Sequence, residues 1–340
     1  MPANRTNGFR CSSCGERFVD IAPTYSNHYN SYCEPCFNRY FYHCGDCGRV
    51  AERGMCRPWI VNGEEVHLCR DCLHRRTVWD ASEFSTENVA TTETKTSRRF
   101  GVELETSSCP QHCELHGATI FGSKYDCSVA GMEFTSPILA GDEGLKAIQD
   151  FCALANERHF EVDRSCGYHL HLDMRNESDD QLKSVAYAYL KADKVWRHLV
   201  DEYRSTGCSY CRTPEWGRRQ LENIPRGEMR GFCECRDRYS LCNLQAYWKF
   251  GTYEIRLHQG SLDALEICNW IKAHLRFVEW ARDKTFDEID DAFRGSDNAK
   301  WESLKAILGD INLNRYYGRK RRTRLGIAPK TRKAAAARAR

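Results

Sequence analysis

Apolar and polar residues alternate in short runs at 99–106, 130–138, 166–174 and 250–258, and apolar residues recur every three or four positions in longer runs at about 143–158, 179–204 and 262–282. The first pattern predicts strands with one apolar face, the second amphipathic helices, and together they predict an α+β domain. In the last helical run Leu262, Leu265, Cys268, Ile271, Leu275 and Val278 form a single stripe, the pattern expected for core packing. Residues 80–97 break the periodicity with eight Ser/Thr in eighteen positions, which predicts a linker over 80–98. The expected organisation is a cysteine-rich module over 1–79, the linker, a catalytic domain over 99–312 and a disordered tail over 313–340.

The polar positions of the strands carry the chemistry. On a strand, residues i and i+2 share a face. FGVELE therefore points Glu103 and Glu105 one way, CGYHLHLD does the same with His169 and His171, and YEIRLH with Glu254, Arg256 and His258. A fourth segment, GMEFTSP, adds Glu133. Clustered carboxylates repel unless cations lie between them, and oxygen-rich sites with an imidazole suit Mg²⁺ or Mn²⁺ bridging nucleotide phosphates. A solvated polar face is the alternative for any one strand, but four such segments together point to a site.

Nine of the twenty cysteines precede residue 73. Cys11/Cys14, Cys33/Cys36, Cys44/Cys47 and Cys69/Cys72 are C-x-x-C knuckles separated by 18, 7 and 21 residues. Two knuckles at such spacing close one tetrahedral structural zinc site, so two Zn²⁺ are expected. The simplest pairing is sequential, Cys11, Cys14, Cys33, Cys36 and then Cys44, Cys47, Cys69, Cys72. A cross-braced pairing of first with third and second with fourth is the alternative. Cys56, His28, His43, His67 and His74 are substitute ligands. The module resembles tandem treble-clef and ribbon fingers. Cys208, Cys211, Cys233 and Cys235 could hold a third zinc or be unconnected thiols, and Cys109, His112, Cys113 and His116 are either another ligand cluster or a substrate loop.

With 41% hydrophobic and 29% charged residues, 340 residues suffice for two units with a buried core, and no apolar stretch approaches the ~18 residues of a membrane span. No secretory signal core is expected at MPANRTNGFRC, which predicts a cytoplasmic, reducing setting where cysteines stay as thiols or bind metal. Net charge is +3, but residues 315–340 hold eleven Lys/Arg and no acid, leaving 39 basic against 47 acidic side chains, or −8, in residues 1–314. Such a basic tail is either solvated or contacts nucleic acid.

The ordered series FGVELE (100–105), YDCSVAGMEFTSPILAG (125–141), CGYHLHLD (166–173), RYSLCNLQ (238–245) and TYEIRLHQGSLD (252–263) resembles the amidoligase family, a branch of the glutamine synthetase and glutamate–cysteine ligase superfamily. The resemblance covers roughly residues 98–282 and rests on order and spacing. It implies a curved antiparallel sheet with flanking helices, whose concave face holds ATP, divalent ions and an acceptor carboxylate. Glu103 and Glu105 resemble the paired ligands of the first strand, Glu133 a carboxylate sharing an ion with Glu105, His169 a ligand of the ion gripping the nucleotide phosphates, and Glu254 the residue completing the second ion. His171 would lie beside the phosphates and Arg256 would stabilise the transferring phosphoryl group. Asp126 and Ser128 occupy a motif commonly read Asp-Gly-Ser, in which Cys127 is the departure, and Arg238 and Asn243 would touch nucleotide or substrate.

The implied activity is ATP- and Mg²⁺-dependent amide or isopeptide formation through an acyl phosphate, with acid and amine substrates carried on a peptide, protein or nucleic acid, or free. The alternative is a zinc-dependent nucleic-acid- or protein-binding factor with an inactive ligase-like domain. A cysteine hydrolase built on Cys127 or Cys166 would need a base beside its thiol, and His169 and His171 are better accounted for by the ligase pattern. The superfamily often places active sites between subunits of an oligomer, an arrangement that the sequence leaves open.

Overall fold

A computed structural model describes residues 8–19, 22–26, 30–45, 47–53, 57–61, 64–69, 72, 93–110, 115, 118–125 and 128–327. Contacts divide the chain into one unit of residues 1–79 with 112–118, and a second of residues 80–111 with 119–340.

The first unit repeats one plan twice. Strands β1 (Gly8–Arg10) and β2 (Arg17–Val19) form a hairpin whose turn carries Cys11 and Cys14. Strands β3 (Tyr25–Ser26) and β4 (Ser31–Tyr32) pair next, and Cys33 and Cys36 lie at the start of helix α1 (Glu34–Tyr40). The order then recurs. Strands β5 (Phe41–His43) and β6 (Val50–Glu52) flank Cys44 and Cys47, strands β7 (Arg57–Val61) and β8 (Glu64–Leu68) pair, and Cys69 and Cys72 follow. The first knuckle turn of each half ends on a glycine with positive φ, Gly15 at 73° and Gly48 at 68°, a conformation that L side chains resist. The apolar content is small: Phe37 packs on Tyr25 and Phe41, and Leu68 on the second set of cysteines.

In the second unit a six-stranded sheet runs in the order β10 (Gly122–Lys124), β11 (Glu133–Thr135), β9 (Phe100–Glu105), β12 (Gly167–Asp173), β14 (Thr252–Gln259), β13 (Cys242–Asn243), with every pair antiparallel. One face is apolar: Phe100, Val102, Leu104, Phe134, Tyr168, Leu170, Leu172, Tyr253 and Ile255 are all buried. Helices cover it. Phe151 of α2 (Gly141–Glu157) packs on Phe134, Tyr253 donates to the Leu182 carbonyl of α3 (Asp179–Arg197), and Trp270 of α8 (Ala264–Ala281) packs on His258. Between α3 and α8 come the short helices α4 (Glu202–Ser205), α5 (Arg218–Glu222), α6 (Met229–Glu234) and α7 (Gln245–Phe250); after α8 come α9 (Phe286–Ala292), α10 (Asp297–Leu308) and α11 (Ile311–Arg324).

The two longest helices begin where side chains can take orphan amide protons. Ser178 and Gln181 form a reciprocal capping box at α3, and Asp263 accepts from Leu265 and Glu266 at α8. Of the predicted stripe on α8, Cys268, Ile271, Leu275 and Val278 are buried. Leu265, in the first turn, is 60% exposed, and Leu262 precedes the helix.

Two boundary expectations are corrected. The linker does not extend to residue 98: Thr94, Thr96 and Arg98 are buried, and Arg98 joins Glu177 at 2.7 Å and Glu279 at 2.6 Å. Residues 80–92 lie outside the described ones. Nor does a disordered tail begin at residue 313. Residues 311–324 are helical, Asp310 caps Asn312 and Leu313, and Leu313 and Tyr317 are buried, Tyr317 against Trp270. Residues 328–340 lie outside the described ones. Among the described residues, no helix is long and apolar enough to cross a membrane.

Candidate functional site

The cysteines assemble sequentially, Cys11, Cys14, Cys33 and Cys36 in one cluster and Cys44, Cys47, Cys69 and Cys72 in the other. A tetrahedral ion with Zn–S bonds of about 2.3 Å sets sulfurs about 3.8 Å apart. Cys14 and Cys33 stand at 3.9 Å and Cys47 and Cys69 at 3.8 Å, so both sets fit zinc. The Cys69 amide also donates to Cys44 Sγ at 3.3 Å, the kind of outer contact that stabilises a metal-bound thiolate. All four positions of each site are protein ligands, so a zinc ion held there would be structural.

Of the two alternatives for Cys208, Cys211, Cys233 and Cys235, a third zinc site is not assembled. Cys208 and Cys211 lie together, with Cys211 donating to the Arg204 carbonyl at 3.4 Å, while Cys233 is buried beside Tyr253 and Cys242 and Cys235 is exposed. Among the described residues these four thiols form no common ligand cluster. His112, Cys113 and His116 fall outside the described residues, as do Asp126 and Cys127.

The sheet face opposite the helices gathers most of the other predicted residues. Register pairs Glu133 with Glu105, His169 with Glu103, His171 with Glu254, and Asn243 with Glu254. His169 Nδ1 lies 3.1 Å from Glu103 and 3.5 Å from Glu254, and its Nε2 lies 3.7 Å from Glu105. Glu103, His171 and Glu254 form the third group of side chains able to share an ion. His171 Nδ1 is held by Thr252 Oγ1 at 2.8 Å, while its buried Nε2 faces Glu103 Oε1 at 3.5 Å without a hydrogen bond. A ring fixed at one nitrogen and left open at the other is arranged as a metal ligand. The resemblance instead gave the ligand role to His169 and placed His171 beside the phosphates.

Charge is finely balanced here. Burial would raise Glu103, but His169, His171 and Lys124 hold it well below the usual carboxylate range. Glu133 goes the other way. Burial and then the Glu103 charge push it up to about 9, against the pull of Lys124, whose Nζ lies 2.5 Å away. Glu254 is lowered despite burial by His171, His169 and Arg256, and accepts from Asn243 Nδ2 at 2.6 Å. Like charges this close do not all ionise unless cations accompany them, so the donor set of carboxylates and imidazoles fits divalent ions.

Arg256 pairs with Glu254, donates from Nε to the Tyr210 carbonyl at 3.3 Å and lies 5.9 Å from the Tyr239 ring. Arg238 is exposed over the same ring at 5.2 Å and makes no ion pair with the carboxylates among the described residues.

One expectation about β14 is corrected. His258 does not share the face of Glu254 and Arg256. The β12–β14 register slips between Tyr168 and Leu170, so that Arg256 and Leu257 together oppose His169 and every later side chain changes face. His258 therefore packs among Tyr168 and Trp270 on the helix side.

The bulge is held by a residue that the sequence did not single out. Buried Arg204 of α4 donates Nη2 to the Arg256 carbonyl at 2.6 Å and Nε to the Leu257 carbonyl at 3.3 Å, satisfying both bulged residues. Lys124, Thr252 and Tyr239 were also not singled out, although Tyr239 and Thr252 lie inside the segments RYSLCNLQ and TYEIRLHQGSLD and Lys124 directly precedes YDCSVAGMEFTSPILAG.

A cavity of about 340 Å³ opens beside Glu103 and His171, walled by Gly101, Ser136, Asp173, Arg175 and Phe250. Asp173 clamps Arg175 at 2.7 and 2.8 Å and Arg99 at 2.9 Å, leaving further guanidinium protons for a ligand. Larger clefts of about 690 and 720 Å³ around Gln259 and Gly260 contain none of the clustered carboxylates.

The family model described as "Putative amidoligase enzyme" matches residues 79–278. That is more than half of the 340-residue chain, and the chain belongs to this family. Membership supports a ligase function in general terms. No curated protein matches the chain.

Proposed function

We propose that the protein is an ATP- and Mg²⁺-dependent ligase that joins a carboxylate to an amine, and that its zinc module and basic C-terminal residues locate it on a macromolecule. The observation that carries this reading is the cluster of Glu103, Glu105, Glu133, Glu254, His169 and His171 on one sheet face with Arg256 beside it. Those six residues would hold the divalent ions, which neutralise the phosphates of ATP as its γ-phosphoryl group passes to the acid. A carboxylate is a poor electrophile at neutral pH. The acyl phosphate is not, and the amine attacks its carbonyl carbon, forming the amide C–N bond and breaking the C–O bond to phosphate.

Arg256 contributes a cation fixed in place by Glu254 and the Tyr210 carbonyl, so little reorganisation is needed when charge develops. Asn243 orients Glu254, and Thr252 orients His171. The neighbouring cavity, with Arg99 and Arg175 clamped on Asp173, suits the anionic end of a substrate.

The test is ATP binding and turnover by zinc-loaded protein with Mg²⁺, screened against acids and amines. Magnesium-dependent ATP binding, weakened in Glu103→Gln with turnover lost in Arg256→Ala, supports the ligase. Turnover unchanged in Glu103→Gln defeats the assignment of the site. Folded, zinc-loaded protein with no affinity for ATP favours the binding factor with an inactive ligase-like domain.

A further inference from the structure

Helix α11 carries cations on two faces, and they are used differently. Lys320 pairs with Glu266, Arg321 donates to Asn298 at 2.8 Å, and Arg324 donates to Ser205 at 3.2 Å; these tie the helix to its own unit. Arg315, Arg319 and Arg322 are exposed, and none forms an ion pair among the described residues. Their spacing of four and three puts them on one face, along about 10 Å of helix axis. Like charges so placed repel one another, and among the described residues no acidic side chain pairs with them.

The surroundings say what would. Residues 1–314 hold 39 basic and 47 acidic side chains, so this stripe is a local reversal of sign on an acidic body. Residues 328–340 add Lys330, Arg332, Lys333, Arg338 and Arg340 with no acid. A lipid surface is a poorer fit, because an interfacial helix needs a continuous free apolar face: Leu313 and Tyr317 of α11 are buried at 2% and 1% exposure, and the exposed apolar residues, Ile311 at its start and Leu325 and Ile327 beyond its end, are separated by its whole length. A single strand is also a poor fit, since sequence-tolerant binding of single strands relies on aromatic rings that stack on bases, and the stripe presents only arginines. What remains is a regular row of backbone phosphates.

We propose that the Arg315–Arg319–Arg322 face of α11 binds the phosphate backbone of a nucleic-acid duplex without reading its sequence. The proposal rests on the reading that the basic C-terminal residues locate the protein on a macromolecule, and it is independent of the ligase chemistry, since it uses no residue of the carboxylate site. Each arginine that neutralises a phosphate releases a counterion, so affinity must fall steeply with salt.

The experiment is fluorescence anisotropy of a labelled DNA duplex of about 20 base pairs, titrated with the full zinc-loaded chain from about 50 to 200 mM salt. It is repeated with the combined Arg315→Gln, Arg319→Gln, Arg322→Gln variant, whose helix content is checked by circular dichroism. The expected result is duplex binding whose log–log salt slope shrinks by about 2.7 in the variant, about 0.9 per arginine, with affinity at least about tenfold weaker. An unchanged slope and affinity in a folded variant would overturn the proposal and assign any binding to residues 328–340. Tighter binding to a single strand, or to phosphatidylserine vesicles, would overturn it in favour of those partners.

Discussion

Arg204→Met tests how the site's arginine is presented. Arg204 is 4% exposed, and its two hydrogen bonds close the carbonyls of Arg256 and Leu257, the residues that bulge from β14. Methionine fills much of the same volume but donates nothing, so two buried carbonyls lose their partners at about 1–3 kcal/mol each. Removing a buried guanidinium returns part of that, leaving a net loss of about 2–4 kcal/mol. At about 2–4 °C per kcal/mol for a unit of this size, the midpoint should fall by roughly 5–15 °C. Scanning calorimetry measures it, with zinc content checked so that the first unit is known to be intact. Arg256 should lose its position as well, lowering ATP turnover by more than the loss of folded protein explains. Arg204→Lys should recover only part of either property, because one ammonium cannot span both carbonyls. A midpoint within a degree of the parent, with turnover intact, would refute the idea that Arg204 holds the bulge.

Three further outcomes are expected. Chelation of zinc should unfold the first unit while the second keeps its own transition, and Cys11→Ser should reduce bound zinc from two ions to one, read by metal analysis and calorimetry. Gly167→Ala should impair divalent-cation binding and lower stability, because a Cβ there would sit 3.1–3.3 Å from His169 Nε2, Arg204 Nη2 and Glu105 Oε2; a thermal melt with the parent's midpoint and the parent's stabilisation by Mg²⁺ would contradict this. Burial pulls His258 down to about 4 from an ordinary 6.5, with Glu266 only partly opposing it. Since the unfolded chain takes up that proton first, stability should be complete above pH 6.5 and fall by up to about 3 kcal/mol between pH 6.5 and pH 4, and the fall should be shallower in His258→Gln by urea titration.

Much of the site was legible because strand chemistry is local. A period of two put Glu103 with Glu105 and His169 with His171, and the register then brought them together with Glu254. The same rule failed at His258, since an extra residue in one strand is invisible to a count along the chain. Helix α11 was read as tail because its buried residues, Leu313, Tyr317, Gly318 and Arg321, are too few and too diluted by cations to make an apolar stripe. The third zinc stayed open for a related reason: two close pairs of cysteines do not determine whether the loops between them converge. Arg204 has no motif at all, because its role is set by the backbone of a distant strand.

Sequential pairing of the cysteines also sets the order in which the first unit can be built. Each zinc site closes within its own half, joining Cys11 to Cys36 and then Cys44 to Cys72, so neither loop waits for the other. Short loops cost little entropy to close and form quickly. During synthesis the first half can therefore capture its metal and fold before the second has left the ribosome, and the second can then repeat the same step. A cross-braced module would have to keep its early thiols unligated until the later knuckle appeared. The two-fold plan of hairpin, hairpin and knuckle thus shortens the interval in which reactive cysteines are exposed.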